Sequence, residues 1–300
     1  MYDLIIIGAG PAGITASVYA ARKKMNLLVI SRDIGGQAAL SGDIENYTGY
    51  QFITGPELAI KFEEHMRKFE IALKENEQVL EVKKIGQVIS VKTNKATYEA
   101  KAAIIASGKR SKELGVPGEK EFKNKGLTYC ATCDGPLFSG KVVAVIGGGN
   151  SALDATLQLM RIAKQIYIIN TTAKLGGDAI MREKVEQSNV VTVMNNFQTI
   201  AILGDKFVQG IKVKSKDKEE QLAVQGIFVE IGLIPNSEFA QDIEKNQWGE
   251  IKVNSFNETN IPGIFAAGDV TDVPEKQIII AAGEGSKATL SAFKYLAHQK

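Results

Sequence analysis

The chain has 300 residues, 44% of them hydrophobic and 23% charged, with 29 glycines and 7 prolines, an ordinary globular composition that excludes disordered and fibrous classes. Its length exceeds one average domain and predicts one large or two medium α/β units. A net charge of +2 does not make a nucleic-acid binder, and no apolar run nears the ~18 residues of a membrane span.

Met1-Tyr2-Asp3 leads straight into Leu4-Ile5-Ile6-Ile7 with no secretory signal, so a cytoplasmic location is expected. That apolar run predicts a buried strand, followed by the glycine-rich turn Gly8-Ala9-Gly10-Pro11-Ala12-Gly13 and a small-residue helix from Ile14 to Arg22. Leu27-Leu28-Val29-Ile30 predicts the next buried strand. Gly55-Pro56 opens a helix whose Leu58, Phe62, Met66, Phe69 and Leu73 form a core-facing stripe. Residues 78–100 alternate as a small antiparallel meander, and Ala103-Ile104-Ile105-Ala106-Ser107-Gly108 predicts a buried strand ending in small residues beside a ligand.

The opening pattern then recurs. Val142-Val143-Ala144-Val145-Ile146 precedes Gly147-Gly148-Gly149-Asn150-Ser151-Ala152, a helix to about Met160 and a strand at Ile166-Tyr167-Ile168-Ile169. Both copies predict βαβ units opening a parallel sheet, too far apart for a solenoid repeat, and so two nucleotide-binding domains. Closely spaced glycines let the main chain turn sharply and approach a pyrophosphate, whose charge rests on the helix N-terminus; a tight turn without ligand is the competing reading, stronger for the second copy. Near the end, Gly263-Ile264-Phe265-Ala266-Ala267-Gly268-Asp269 repeats the strand, small residues and one acid. If that strand returns to the first sheet, Asp269 lies at its carboxyl end, where cofactors bind; otherwise it caps a turn.

The rare residues narrow the chemistry. Cys130 and Cys133 are the two cysteines, and the histidines, His65 and His298, fall in an amphipathic helix and in the tail, so neither zinc ligation nor histidine-based hydrolysis is supplied and no metal is expected. In Cys130-Ala131-Thr132-Cys133-Asp134, two thiols at a turn or helix start can close a small ring reversibly and exchange disulfides with another protein. Asp134 offers the carboxyl group for proton transfer. A dithiol needs a carrier to take electrons from most donors, and two dinucleotide folds suggest a bound flavin.

On these residues, together with Gly35-Gly36-Gln37, Glu45-Asn46-Tyr47, Gly232-Leu233-Ile234-Pro235-Asn236 and Gly268-Asp269-Val270, the chain resembles the low-molecular-weight thioredoxin reductase family over essentially its full length. The resemblance implies an α/β protein with two Rossmann-like domains of the FAD/NAD(P)-binding fold, the second inserted into the first: an FAD domain from residues 1–113 and 244–300, and a central domain from 114–243. It implies FAD contacts from Gly8, Gly10, Pro11, Ala12, Gly13, Ser31, Gly36, Gln37, Asn46, Ser107, Gly108 and Asp269, with Lys276 and Gln277 near the isoalloxazine where the family has Arg-Gln. It also implies a homodimer that reduces thioredoxin, with Cys133 facing the flavin, Cys130 attacking the partner disulfide and Asp134 as acid/base. In the second turn Gly147, Gly149 and Ala152 take the corresponding places.

The chain departs from the family where NADPH is held. The family's His-Arg-Arg and a further arginine clamp the 2′-phosphate; here the stretch is Asn170-Thr171-Thr172-Ala173-Lys174-Leu175-Gly176, with Lys174 and Arg182 the nearest cations. Losing charge-assisted contacts worth about 1.5–3 kcal/mol each disfavours NADPH by orders of magnitude. No acid stands at the strand end for an NADH ribose. Two readings follow: a nicotinamide held by altered contacts, or, favoured, a different donor such as ferredoxin. Ferredoxins are acidic and the chain's pI is near 8.3, with docking cations among Arg22-Lys23-Lys24, Lys109-Arg110, Lys112, Lys120 and Lys123. A flavoprotein reducing peroxide or a small molecule is the alternative from another class.

Overall fold

The computed structural model describes residues 1–298 apart from Gly42 and Glu45, without the side chains of Asp43 and Cys133. The chain forms two compact units, residues 1–110 with 234–300, and residues 111–233. The breaks expected after residues 113 and 243 therefore move to 110 and 233. The second moves because residues 236–243 belong to the first unit's core: Ala240 and Ile243 pack with Ile5 and Ile7, and the Val82 N–H donates to the Phe239 carbonyl at 3.1 Å.

In the first unit a seven-stranded sheet runs Ala72–Lys74, Leu27–Ile34, Tyr2–Ala9, Thr97–Ile105, Val88–Thr93, Val79–Ile85, with Ile264–Ala266 also paired to Thr97–Ile105. The strand Tyr2–Ala9 is central and parallel to both neighbours, with Ile5 opposite Leu28 and Ala103. Its alternation is apolar on both faces, as a parallel strand covered on both sides requires. Leu4 and Ile6 pack under the helices Pro11–Arg22 and Ile278–Ala297, while Ile5 and Ile7 meet Val82, Ile89 and Val91 of the antiparallel strands. Those two helices approach closely through Ala12, Ala16, Ala281 and Ala288. A Cβ on Gly285 would stand 2.0 Å from the Ala12 carbonyl oxygen, so the packing tolerates no side chain there.

The first helix begins at Pro11, three residues before the expected Ile14, since proline at the first helical position lacks an N–H the helix would not use. The stripe from Leu58 to Leu73 is not one helix. Gly55–Met66 is helical, opened by a capping box between Thr54 and Glu57, and ends at Met66; Leu73 lies in the edge strand Ala72–Lys74, paired with Leu27–Ile34. Both places face the same core, which is why the spacing held past the helix end.

The second unit carries a five-stranded parallel sheet in the order Leu127–Thr128, Gly226–Val229, Val142–Ile146, Gln165–Asn170, Val191–Asn195, and an antiparallel sheet of Gln198–Gly204, Val208–Lys214 and Glu219–Ala223. The helix Asn150–Leu159 covers one face through Ala152, Leu153 and Leu159 against Val143, Val145 and Phe228. Among the described residues no helix is long and apolar enough to cross a membrane.

Candidate active site

The first glycine-rich turn is built by close approach. Gly8 has φ +104° and a Cβ there would lie 2.3 Å from the Ala106 carbonyl oxygen; a Cβ on Gly13 would lie 1.8 Å from that of Gly8. Both are backbone contacts that no rotamer relieves. Gly10 stands at the N-cap of Pro11–Arg22 with no side-chain cap, so the first-turn N–H groups are available to an anion. The turn opens on a cavity of about 1030 Å³, at the upper end of the ~300–1,000 Å³ range of ligand pockets and roomy enough for a dinucleotide.

Gly8, Gly10, Pro11, Ala12, Ser31, Gly36, Gln37, Ser107, Gly108, Asp269, Lys276 and Gln277 all line this cavity. Two expected contacts do not. Gly13 is buried beneath Gly8, where its role is packing, and Asn46 is exposed outside the lining, its Nδ2 donating to Gln277 Oε1 at 3.2 Å. Glu45 lies outside the described residues. Asp269 reaches the cavity because Ile264–Ala266 pairs in parallel with Ala103–Ile105, returning the chain end to the first sheet. Sequence reasoning did not assign Asn236 to the cavity, although its motif was visible: its Nδ2 donates to the Ser107 carbonyl at 2.8 Å and the Ser107 hydroxyl donates to its carbonyl at 2.6 Å.

A charge cluster lies under the Asp269 side of the cavity. Lys109 and Glu250 pair at 2.8 Å, each about one-eighth exposed, and Lys276 stands 3.3 Å from the same carboxylate oxygen. Lys276 also donates to the Thr271 and Val273 carbonyls, so this cation is anchored on its own loop. Burial pushes the Asp269 carboxyl above the usual carboxylate range, and Lys276 and Lys109 offset only part of that rise. Burial also pushes Glu250 up, but Lys109, Asn246 and Lys276 outweigh it and hold that carboxyl low. Glu250 carried no sequence signal. Its partner Lys109 is 141 positions away.

The second glycine-rich turn has the same construction. Gly147 has φ +139° and a Cβ would meet the Glu230 carbonyl oxygen at 2.2 Å, while buried Ala152 fills the place that Gly13 takes in the first copy. Gly149 faces open space. Beside it the chain is engaged with itself. The Gly176 N–H donates to the Gly148 carbonyl at 2.7 Å, and the Asp178 N–H donates to Asn150 Oδ1 at 2.8 Å. Asn170, 3% exposed at the strand end, donates to the Thr172 carbonyl and to Asn195 Oδ1 and accepts from the Thr172 hydroxyl. It crowds Gly148, whose Cβ would stand 2.3 Å from Asn170 Oδ1.

Cys130 is disulfide-bonded and precedes the helix Ala131–Asp134; the side chain of Cys133 lies outside the described residues. That helix is a single turn, so its dipole can contribute less to a thiolate than a longer helix would. Asp134 accepts a short hydrogen bond from the Thr128 hydroxyl, and Thr128 Oγ1 in turn accepts from the Cys130 N–H at 3.2 Å. The carboxylate and the sulfur-bearing residue are thus held by one threonine. Of the cations expected to dock an acidic partner, Lys109 and Arg110 are committed to Glu250 and Glu238, and Lys23 and Lys123 sit over the rings of Phe293 and Tyr129. Arg22, Lys24, Lys112 and Lys120 are exposed.

Residues 2–285 match the family model described as pyridine nucleotide-disulphide oxidoreductase. The chain is 41% identical over 298 residues to an NADH dehydrogenase of Ferdinandcohnia aciditolerans and 43% identical over 303 residues to alkyl hydroperoxide reductase F of Pseudomonas aeruginosa, with 98% of this chain matched in each. It spans only 57% and 58% of the length of those relatives. Among solved structures, thioredoxin reductase of Lactococcus lactis in its FR conformation is similar with TM-score 0.88 and 35% identity, over 99% of this chain and 100% of that one. A ferredoxin-flavin thioredoxin reductase from Clostridium acetobutylicum is similar with TM-score 0.55 and 32% identity, over 99% of this chain and 98% of that one. The two Rossmann-like units of an α/β fold, expected from the repeated turn, are those of thioredoxin reductase structures.

Proposed function

The chain belongs to the pyridine nucleotide-disulphide oxidoreductase family, and we propose that within it the protein is an FAD-dependent disulfide reductase that passes electrons through Cys130 and Cys133 to thioredoxin. The observation that carries this reading is the disulfide-bonded Cys130 tied through Thr128 to the Asp134 carboxylate, on a chain whose other unit opens a dinucleotide-sized cavity at a glycine turn. Bound FAD supplies the two-electron carrier between donor and disulfide. The Gly8–Gly13 turn and the N-terminus of Pro11–Arg22 would hold its pyrophosphate, and Asp269, with Lys276 and Gln277, would line its flavin half.

The chain's own groups then perform the exchange. A Cys130 thiolate attacks the partner's disulfide, forming a mixed disulfide and releasing one partner sulfur; Asp134 supplies the proton to that sulfur. Attack by Cys133 on Cys130 breaks the mixed disulfide, re-forms the internal bond and frees the partner as a dithiol. Two electrons leave the protein and the sulfur count balances.

For the donor, we favour a protein such as ferredoxin over a nicotinamide. Asn170 is spent on Thr172 and Asn195, no arginine stands in residues 170–176, and Gly176 and Asp178 bond to the second turn from within the chain. The similarity to a ferredoxin-flavin thioredoxin reductase supports the same choice. A second reading, NADH as donor, is favoured by the open face of Gly149 and by relatives named NADH dehydrogenase. Anaerobic titration of the purified protein followed by flavin absorbance, with NADPH, NADH and reduced ferredoxin compared, separates the readings; rapid bleaching by a micromolar nicotinamide overturns the ferredoxin assignment. Cys133→Ser is expected to keep its flavin and lose thioredoxin reduction, and retained turnover would remove the relay.

A further inference from the structure

The segment that carries the redox sulfur is tied down by a side chain on either flank. On the amino-terminal flank, Tyr129 follows the strand Leu127–Thr128, which pairs with Ile227 and Phe228. Its hydroxyl donates to Glu119 Oε1 at 2.8 Å. Glu119 is 2% exposed, and its two carboxylate oxygens also accept the Leu114 and Gly115 N–H groups at 2.7 Å each. On the other flank, the Thr132 hydroxyl donates to Gln158 Oε1 at 2.9 Å, and Gln158 Nε2 donates to Asp154 Oδ2 at 2.8 Å. Gln158 and Asp154 belong to the helix Asn150–Leu159, which is packed onto the parallel sheet. Cys130 and Ala131 therefore lie between two anchors fixed to different elements. Neither anchoring bond involves a sulfur, and the thiol relay uses none of these groups.

We propose that Tyr129 and Thr132 are positioning residues that act through the backbone on Cys130 and hold its disulfide closed against reduction. When a dithiol such as dithiothreitol reduces the bond, two electrons enter and the sulfur–sulfur bond breaks. The two cysteines take up the two protons the dithiol gives up, and the dithiol closes to its own disulfide.

The physical reason is chain freedom. Opening a disulfide ring ordinarily releases the residues it joined, and that gain favours the reduced form. With Tyr129 held to Glu119 and Thr132 to Gln158, the segment keeps its course after the bond breaks. Little freedom is gained, and the sulfurs stay at high effective concentration for re-closure. A dithiol that re-closes readily is a strong reductant, which onward transfer to a partner disulfide requires. Burial and the Glu119 hydrogen bond push the Tyr129 phenol above its ordinary value, so it stays a donor throughout the neutral range.

The proposal rests on Cys130 being redox-active, but its test does not involve thioredoxin. The full-length flavoprotein and its Tyr129→Phe, Thr132→Val and Thr132→Ser variants are equilibrated with dithiothreitol buffers from about pH 6 to 8, quenched, alkylated and read by mass. Phenylalanine and valine keep the shape and remove only the hydrogen bond. Each is expected to raise the reduction equilibrium constant about two- to tenfold, the worth of one such bond. The factor should be the same at every pH, because neither hydroxyl changes the number of protons taken up. Thr132→Ser keeps the hydroxyl and should stay near wild type. A merely structural hydroxyl lowers the urea midpoint and leaves the equilibrium constant where it was, so an unchanged constant in Tyr129→Phe or Thr132→Val overturns the proposal for that flank. A factor that varies with pH overturns it for both, since the hydroxyls would then act on a thiolate charge. If thioredoxin is not reduced yet the constants rise as stated, the earlier reading fails and this one stands.

Discussion

Replacing Gly13 by alanine tests the first glycine turn at its tightest point. The added Cβ would lie 1.8 Å from the Gly8 carbonyl oxygen and 2.8 Å from its carbon, and both are backbone. Reaching a 3.0 Å contact needs a relative shift of about 1.2 Å between the turn and the helix Pro11–Arg22, whose neighbours Ala16 and Ala20 are fully buried. Overpacking of this kind costs about 1–3 kcal/mol, and the shift moves the N–H groups that would face a pyrophosphate. At about 1.4 kcal/mol per decade, FAD affinity should fall about 5- to 150-fold. The assay is FAD fluorescence titration of deflavinated protein, with Gly149→Ala as control, since a Cβ there meets nothing within 4 Å and φ is −99°. Unchanged FAD affinity and unchanged thermal midpoint in Gly13→Ala would mean that the close approach of Gly13 to the Gly8 carbonyl does not shape the turn.

Three further outcomes are expected. Glu250→Gln leaves Lys109 and Lys276 without their shared carboxylate, which should cost up to about 3–5 kcal/mol and lower the urea midpoint; a midpoint within error of wild type would mean the pair contributes nothing. Because Glu230 titrates higher in the folded chain than when unfolded, the folded state binds the extra proton, and stability declines as pH rises from about 4.5 to about 7. Glu230→Gln should therefore gain over wild type across that window and hold a constant advantage above it, as read by urea midpoints against pH. Thr128→Val removes the donor to Asp134 and should slow thioredoxin reduction about tenfold or more while leaving FAD content unchanged; equal turnover would show that the threonine does not position the carboxylate.

The features readable from sequence alone are those whose physics is local. A strand running into Gly-x-Gly-x-x-Gly and a helix is fixed by steric demands within about six residues, so Gly8 to Gly13 and Gly147 to Ala152 declare themselves, as does a cysteine pair two residues apart. The missing arginines after Asn170 are equally local. Tertiary packing decided the rest. Only the pairing of Ile264–Ala266 with Ala103–Ile105 carries Asp269 to the cavity, and only the burial of Ala240 and Ile243 against Ile5 and Ile7 sets the domain break at 233. Leu73 kept a helical spacing while lying in a strand because one core serves both elements. Lys109, a docking cation by composition, is tied to Glu250, and Glu230, one acid among many in the chain, is pushed above the usual carboxylate range by its burial and then by the Asp154 charge across the fold. The energy of a charge depends on what surrounds it in space, and one chain order gives no measure of that.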